Sequence, residues 1–392
     1  MFQELLIVLI LFFLIFFGYI KVYHRFWYLQ PVFHFYKIWN FFLPTSVIAN
    51  DPIESTFNNQ ENILTTTFGK ASQCILEETI WLLQRHFLRD KNNEYIPDLS
   101  NNFLPFFTDK CFISVYYNER ILKETKTAIC KKDKSQIIGV ITSFPLTMIL
   151  FSEKYVIHYV DYLCVHRNFR KRSIAEQLIQ THEYNQRLEE PNIKISLFKR
   201  EGTLNFIVPL CVYKTYFRKV FKNNNNNNFD FIIEEPSFRE IIDFVNRHNK
   251  KFKCFIQFPW ASISKLIETK NIFFVSVKHH AMYFFKDSCT TYSKDKTKML
   301  VCIGSILLEE EFDKGEFDKE EFDKEDFKTG FDKAVELINK KNKNIFSAVI
   351  IESVAHNNYL LSVEDVFFTN MAYFFYNFTQ TTISPSQFLF IG

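Results

Sequence analysis

The chain has 392 residues, is 47% hydrophobic and carries a formal net charge of +3. That length supports one large or two medium domains with substantial cores, and the composition excludes a disordered or fibrous chain. The charge is too small to argue for a nucleic-acid partner, and none is expected; a basic site must be argued from its own residues.

Eight cysteines are scattered at 74, 111, 130, 164, 211, 254, 289 and 302, with no C-x-x-C pair and no zinc-like His spacing. Free thiols in a reducing compartment and no metal are expected. With 48 Phe against 8 Gly, a single Phe carries little information.

The chain opens on an unbroken apolar run from Leu5 to Ile20, LLIVLILFFLIFFGYI. This is near the short end of the roughly 17 to 25 residues that cross a bilayer. A cleaved signal peptide would start basic and end at a small-residue site; here Glu4 precedes the run and no A-x-A follows. Lys21, His24 and Arg25 put the positive flank after the run. Residues 1–23 are therefore expected to be a single-pass membrane anchor, with the rest of the chain on the cytosolic side.

After a linker at about 50–70, ASQCILEETIWLLQRHFL spaces Ile75, Leu76, Ile80, Leu83 and Phe87 for a helix. Strand-like runs follow at KCFISVYYN, QIIGVITSF and KYVIHYVDYLCV, then a helix from about Ile174 to Leu188. Six asparagines, Asn223 to Asn228, interrupt the chain. Beyond them the order partly repeats: helix at SFREIIDFVNRHNKK, strands at NIFFVSV and MLVCIGSILL, helix at FDKAVELINKK, strands at FSAVIIES, AYFFYNF and QFLFI. Mixed α/β order of this kind suggests two related halves, 24–222 and 231–392, with insertions at 223–230 and 309–333. The second insertion carries the repeat EFDKG EFDKE EFDKE, whose period of five cannot keep its Phe on one helical face.

The most informative stretch is Tyr155 to Glu190. An alternating strand meets the basic turn HRNFRKR and then a helix, where Ser173 and Glu176 fit a capping box. Unpaired first-turn amides beside Arg167, Arg170, Lys171 and Arg172 would suit a pyrophosphate, because amides and helix dipole both favour anions. A solvated basic face is the alternative at this point.

Tyr159-Val-Asp-Tyr-Leu-Cys-Val-His-Arg167 resembles the N-myristoyltransferase signature Glu-Ile-Asn-Phe-Leu-Cys-Val-His-Lys. RKRSIA at 170–175 sits where that family has Arg-Ser-Lys-Arg-Val-Ala. HRFWYLQPV (24–32) resembles its Phe-Trp-x-x-Gln-Pro-Val segment, and IIGVITSFPLTMIL (137–150) its Gly-Phe-Ile-Ser-x-x-Pro hairpin. FSAVIIESVAHNNYLL (346–361) and AYFFYNF (372–378) resemble its Val-Phe-Asn-Ala-Leu and Tyr-Tyr-Leu-Tyr-Asn-Trp stretches, all in family order.

The resemblance implies a mixed α/β acyl-CoA N-acyltransferase fold of two pseudo-symmetric acetyltransferase-like halves. It further implies acyl-CoA (myristoyl-CoA) as co-substrate held mainly by the first half, no permanently bound cofactor, a glycine-starting protein or peptide held mainly by the second half, and a monomer at the bilayer. Carried over, Arg25, Phe26, Trp27, Leu163, Cys164, Val165, Lys171, Arg172, Ser173, Ile174 and Ala175 would contact acyl-CoA. The backbone amides of Tyr162 and Leu163 would form an oxyanion hole, which needs a bulge near Tyr162. The carboxylate of Gly392 would take the proton from the acceptor glycine; a terminus that ends an edge strand and frays is the plain alternative. Cys164 and His166 alternate on one strand face, but direct amine attack makes Cys164 a packing residue rather than a nucleophile.

The acceptor side departs from the family. Its Lys-Phe-Gly-x-Gly-Asp-Gly becomes Val363-Glu-Asp-Val-Phe-Phe-Thr369, with Phe368 in the place of the acid. Thr-Cys-Arg-Tyr-Trp-His becomes Leu210-Cys-Val-Tyr-Lys-Thr215, and the acidic loop thins to Arg89-Asp-Lys-Asn-Asn-Glu94. An active long-chain acyltransferase, a silent acyl-CoA or lipid-binding membrane protein and a short-chain N-acetyltransferase all remain open at this stage.

Overall fold

The computed structural model describes residues 2–42, 45–88, 93–97, 103–106, 110–118, 137–204, 206–220, 231–278, 280–292, 298–308, 323–343, 345–363 and 365–392. The Asn-rich segment, the repeats at 309–322 and residues 89–92 of the thinned loop lie outside the described residues.

The helices are α1 (Phe2–Tyr23), α2 (Arg25–Leu29), α3 (Gln73–His86), α4 (Ile174–Glu189), α5 (Phe238–His248), α6 (Trp260–Glu268) and α7 (Lys324–Lys341). The strands of the first half are β1 (Ser46–Val47), β2 (Ile63–Thr67), β3 (Asn93–Tyr95), β4 (Phe112–Tyr117), β5 (Ile137–Leu150), β6 (Glu153–Val165), β7 (Ser196–Glu201) and β8 (Cys211–Lys219). Those of the second are β9 (Ile233–Glu234), β10 (Cys254–Gln257), β11 (Ile272–Val277), β12 (Ala281–Tyr292), β13 (Lys298–Leu307), β14 (Phe346–Glu352), β15 (Val366–Tyr376), β16 (Phe378–Thr379) and β17 (Phe388–Ile391).

One sheet runs β17-β10-β5-β6-β7-β15-β8-β14-β13-β12-β11-β9, with β4 and β2 branching from β5 and β3 joining β12. The halves expected from sequence are therefore interleaved. β15 lies between β7 and β8, while β10 and β17 extend the first-half sheet beyond β5. The near-continuous apolar run of β5 is explained by cover on both faces. Leu76, Leu82 and Leu83 of α3 cluster with Val140 and Phe144, whereas Ile174 and Leu178 of α4 cluster with Ile138 and Ile141. Gly139 permits that approach, because a Cβ there would lie 2.8 Å from Leu178 Cδ1. Gly304 of β13 does the same for β17, since its Cβ would meet Leu389 Cδ1 at 2.4 Å.

α7 begins at Lys324, inside the segment read as an insertion, and is capped by Asp323. Phe327 and Phe331 fall four residues apart, share one face and are fully buried, so the Phe spacing changes from five to four inside the helix. The apolar N-terminal run is helix α1, long and apolar enough to cross a membrane, with 6% of its most apolar stretch buried against the protein. Its C-terminal turns dock through Phe16 on Phe206 and Phe17 on Tyr36, and α2 follows after His24.

Candidate active site

Strand β6 positions the chemistry. It pairs with β7 only at His158, Tyr159 and Val160, and beyond Val160 the two strands part. On the β5 side the register passes from Thr142↔Asp161 to Val140↔Cys164, leaving Tyr162 and Leu163 opposite the single residue Ile141. This is the bulge the sequence called for. Tyr162 sits at φ 51, a left-handed conformation costly for a bulky side chain. An aromatic box holds it there: Phe103, Phe87, Tyr95 and Phe144 surround its ring at 5.4, 6.0, 6.4 and 6.4 Å.

The Tyr162 amide is not idle; it donates to Asp161 Oδ1 at 2.8 Å. Leu163 is partly exposed, whereas Cys164 is buried, and burial pushes its thiol up to about 12. That thiol is therefore protonated at neutral pH, in line with a packing role. Val165 packs with Ile174 and Leu178 of α4.

The turn between β6 and α4 differs in detail from the sequence reading. Ser173 is the N-cap, but at φ 55 and ψ 21 it is left-handed, and its side chain makes no capping bond. The capping box with Glu176 is absent. Lys171 is left-handed too, at φ 64. Among the described residues, none accepts a hydrogen bond from the amides of Lys171 to Ala175. Successive backbone amides left without acceptors in such a turn can bind an anion as a regular helix start does.

The basic cluster divides by role. The Arg170 guanidinium donates to the carbonyls of Val165 and His86, and Arg167 to that of Leu88, so both tie the turn to the end of α3. Lys171 and Arg172 remain exposed, with the Arg172 guanidinium 5.2 Å from the Phe169 ring centre. The rings of His86 and His166 lie 3.9 Å apart, tilted by 41°; burial, the other ring and the nearby arginines hold His86 at about 4 and hence neutral.

The expected acyl-CoA residues of α2 reach the same helix. Arg25 is exposed at its start, and Phe26 is buried against Phe57. Trp27 stacks on Phe198 at 5.9 Å and packs in a cluster that includes Ile179 of α4. The Tyr376 hydroxyl donates to Gln30 Oε1 at 2.5 Å, fastening this segment to β15.

Gly392 does not fray. β17 is buried along its whole length, paired parallel to β10, and Gly392 itself packs against the rings of Phe258 and Phe390. Phe258 touches Phe144 at 6.4 Å, Phe144 touches Tyr162, and Phe390 touches Tyr159 at 5.2 Å. An aromatic floor thus links the chain end to the β6 bulge.

Sequence reasoning missed a part-buried ion pair between β7 and β14. Lys199 Nζ lies 2.5 Å from Glu352 Oε1, and the Tyr213 hydroxyl donates to Glu352 Oε2 at 3.2 Å. Lys199 also lies 5.6 and 5.5 Å from the ring centres of Tyr213 and Tyr373. Burial would lower the lysine, but the Glu352 carboxylate outweighs it and the net direction is upward. Neither strand announces it, because Lys199 stands beside Arg200 and Glu201 and Glu352 is the last residue of β14. Leu210, where the resembling family has threonine, is buried and offers no hydroxyl, and Phe368 is 54% exposed.

Residues 57–211 match the family described as "Myristoyl-CoA:protein N-myristoyltransferase, N-terminal domain". No curated protein sequence matches the chain. Among solved structures it is similar to Saccharomyces cerevisiae N-myristoyltransferase with bound myristoyl-CoA, at TM-score 0.67 and 12% identity, covering 92% of this chain and 90% of the yeast one. A second structure of that yeast enzyme gives TM-score 0.66 at 14% identity, covering 92% and 94%. At such identities the likeness concerns the fold.

Proposed function

We propose, from the match of residues 57–211 to the N-terminal domain of the N-myristoyltransferases, that this chain is a divergent member of that family and transfers a tetradecanoyl chain from acyl-CoA to the N-terminal glycine of protein acceptors. The observation that carries the reading is the β6 bulge at Tyr162 and Leu163, which opens beside the parting of β6 from β7. In this reading the pantetheine and acyl chain enter that parting. The amides of Lys171 to Ala175, with Lys171 and Arg172, take the pyrophosphate, and Arg25, Phe26 and Trp27 cover the acyl-CoA. The amides at 162 and 163, the first of which donates to Asp161 Oδ1 in the absence of substrate, would stabilise charge on the thioester oxygen, an effect worth about 10²–10³ per donor in rate.

The terminal carboxylate of Gly392 is the proposed base. The acceptor nitrogen must lose two protons on the way from ammonium to amide, and a carboxylate held beside it takes up a proton from it. The burial of β17 and the packing of Gly392 support that role over a frayed end. Helix α1 is proposed to anchor the transferase in a membrane, with the site on the cytosolic side. It ends at Tyr23, next to Arg25 and Phe26, which would set the acyl-CoA cover close to the bilayer.

The full chain, purified in detergent from alkali-washed membranes, should acylate a glycine-starting peptide when given myristoyl-CoA, with a mass increase of one tetradecanoyl group. Binding of acyl-CoA without transfer would favour the silent binding protein instead. Faster transfer from acetyl-CoA would favour the short-chain enzyme.

A further inference from the structure

We propose that Asp161 is a catalytic residue of this transfer, its carboxylate taking the first proton from the acceptor's N-terminal ammonium. The inference rests on the transferase reading. Asp161 stands where the resembling signature has asparagine, so a group that titrates replaces one that does not. It lies immediately before the bulge and is anchored on both sides. Its Oδ1 accepts from the Tyr162 amide at 2.8 Å, and its backbone carbonyl accepts from Thr142 Oγ1 at 3.1 Å.

The carboxylate therefore sits against one of the two amides proposed for the thioester oxygen, within reach of a nucleophile approaching that carbonyl. The charged and titratable groups around it are Lys286 of β12, Lys199 of β7, Tyr159 and Tyr162 of β6, and Tyr95 of β3. The nearby acid Glu352 is committed to Lys199 and Tyr213. Burial raises Asp161 above the usual carboxylate range, with Lys286, the Tyr162 amide and Lys199 pulling the other way. That brings it nearer in basicity to an ammonium.

The reaction removes two protons from nitrogen as ammonium and thioester become amide, CoA thiol and one released proton. Asp161 takes the first, which converts the buried ion pair of ammonium and carboxylate into a neutral amine and a neutral acid. The amine then forms its bond to the carbonyl carbon. The second proton leaves the nitrogen of the tetrahedral intermediate for the terminal carboxylate; the carbon–sulfur bond breaks, the terminal carboxyl passes that proton to the CoA sulfur, and Asp161 releases the first to solvent. Protonation of Asp161 has a second consequence. A neutral acid accepts a hydrogen bond less strongly than a carboxylate, so the Tyr162 amide is released to the oxygen on which charge is developing.

The test is Asp161→Asn, which keeps the size and the Oδ1 acceptor for Tyr162 but is no base. Single-turnover transfer by the full chain in detergent, with myristoyl-CoA and a glycine-starting peptide, should fall by about 10²-fold at pH 7. The deficit should shrink to under about tenfold by pH 9, because an ammonium of pKa ~8 then deprotonates unaided. Myristoyl-CoA affinity by calorimetry should stay within about twofold. A deficit of equal size at every pH, or none at pH 7, overturns the assignment.

If the variant does not fold, the chain extended by one alanine after Gly392 decides. With Asp161 intact, its residual transfer should be level from pH 7 to 9, and a climb of about tenfold per unit below pH ~8 overturns the proposal. Wild-type protein that binds myristoyl-CoA and transfers nothing at any pH overturns the transferase reading together with this one. An unimpaired Asp161→Asn overturns this one alone.

Discussion

The region proposed to hold acyl-CoA and the region proposed to receive the acceptor are built from the same sheet but depart from the N-myristoyltransferase pattern to different degrees. On the first, the bulge at Tyr162 stands where the resemblance puts it and Lys171 and Arg172 are exposed, while left-handed Lys171 and Ser173 take the place of the expected capping box. On the second, Leu210 and Phe368 replace polar residues, and a part-buried Lys199–Glu352 pair appears that the quoted family motifs do not contain. The contrast follows from the ligands each side is proposed to serve. A thioester with a pyrophosphate is one chemical object, and its recognition uses backbone amides that many side chains can supply. Acceptor proteins differ in everything beyond the reacting glycine, so the residues that greet them are free to change.

The comparison is broken most directly at the phosphate turn. Lys171→Glu with Arg172→Glu should lower myristoyl-CoA affinity by more than about 10²-fold, because both substitutions place carboxylates where a pyrophosphate is proposed to sit. The fold should survive, since neither side chain is buried. Arg167 and Arg170 are unsuitable controls, as they hold the carbonyls of Leu88, His86 and Val165. Calorimetry on a folded double variant that binds as the wild type does would remove the phosphate site.

The next largest effect is expected at the chain end, where the two sides meet. One alanine added after Gly392 moves the carboxylate by roughly 3.5 Å, beyond the tolerance of a positioned base. Single-turnover transfer should fall by at least about 10²-fold, with myristoyl-CoA affinity unchanged. Native-rate transfer by the extended chain would eliminate the terminal carboxylate and leave Asp161 as the remaining candidate.

How much of this was legible in the sequence depends on the kind of interaction. Elements with a strong local pattern were: the apolar α1, the 3.6-residue spacing of α3, the long apolar β5 and the alternating β6 all stand where periodicity put them. The bulge was legible because an oxyanion hole demands two strand amides. The interleaving of the halves was not, because β10 pairing with β5 and β15 pairing with β7 and β8 are partnerships of distant segments that leave no local trace. The Lys199–Glu352 pair was missed for the same reason. Its members lie 153 positions apart, and each alone looks like a surface charge in a short strand. At Ser173 the types were right for a capping box, yet the backbone chose a left-handed turn that no side-chain pattern announces.

That last difference yields the smallest and sharpest test, because the molecule contains both kinds of serine-led helix start. Ser237 opens α5 with a complete capping box: its side chain accepts from the Glu240 amide at 3.4 Å, and the Glu240 carboxylate accepts from the Ser237 amide at 2.7 Å. Ser173 opens α4 with no side-chain bond at all. Removing a hydroxyl that caps leaves an amide unpaired and costs about 1 kcal/mol, so Ser237→Ala should lower stability by that amount in a denaturant titration. Ser173→Ala should be nearly neutral, since the backbone keeps its left-handed cost and nothing is uncapped. Ser173→Gly should gain up to about 1 kcal/mol, because glycine enters that conformation without the steric penalty of a Cβ. If backbone amides hold the pyrophosphate, Ser173→Ala also leaves myristoyl-CoA affinity within about threefold. A tenfold loss would show that the hydroxyl itself binds phosphate, and equal destabilisation by the two alanine variants would mean that Ser173 caps α4 after all.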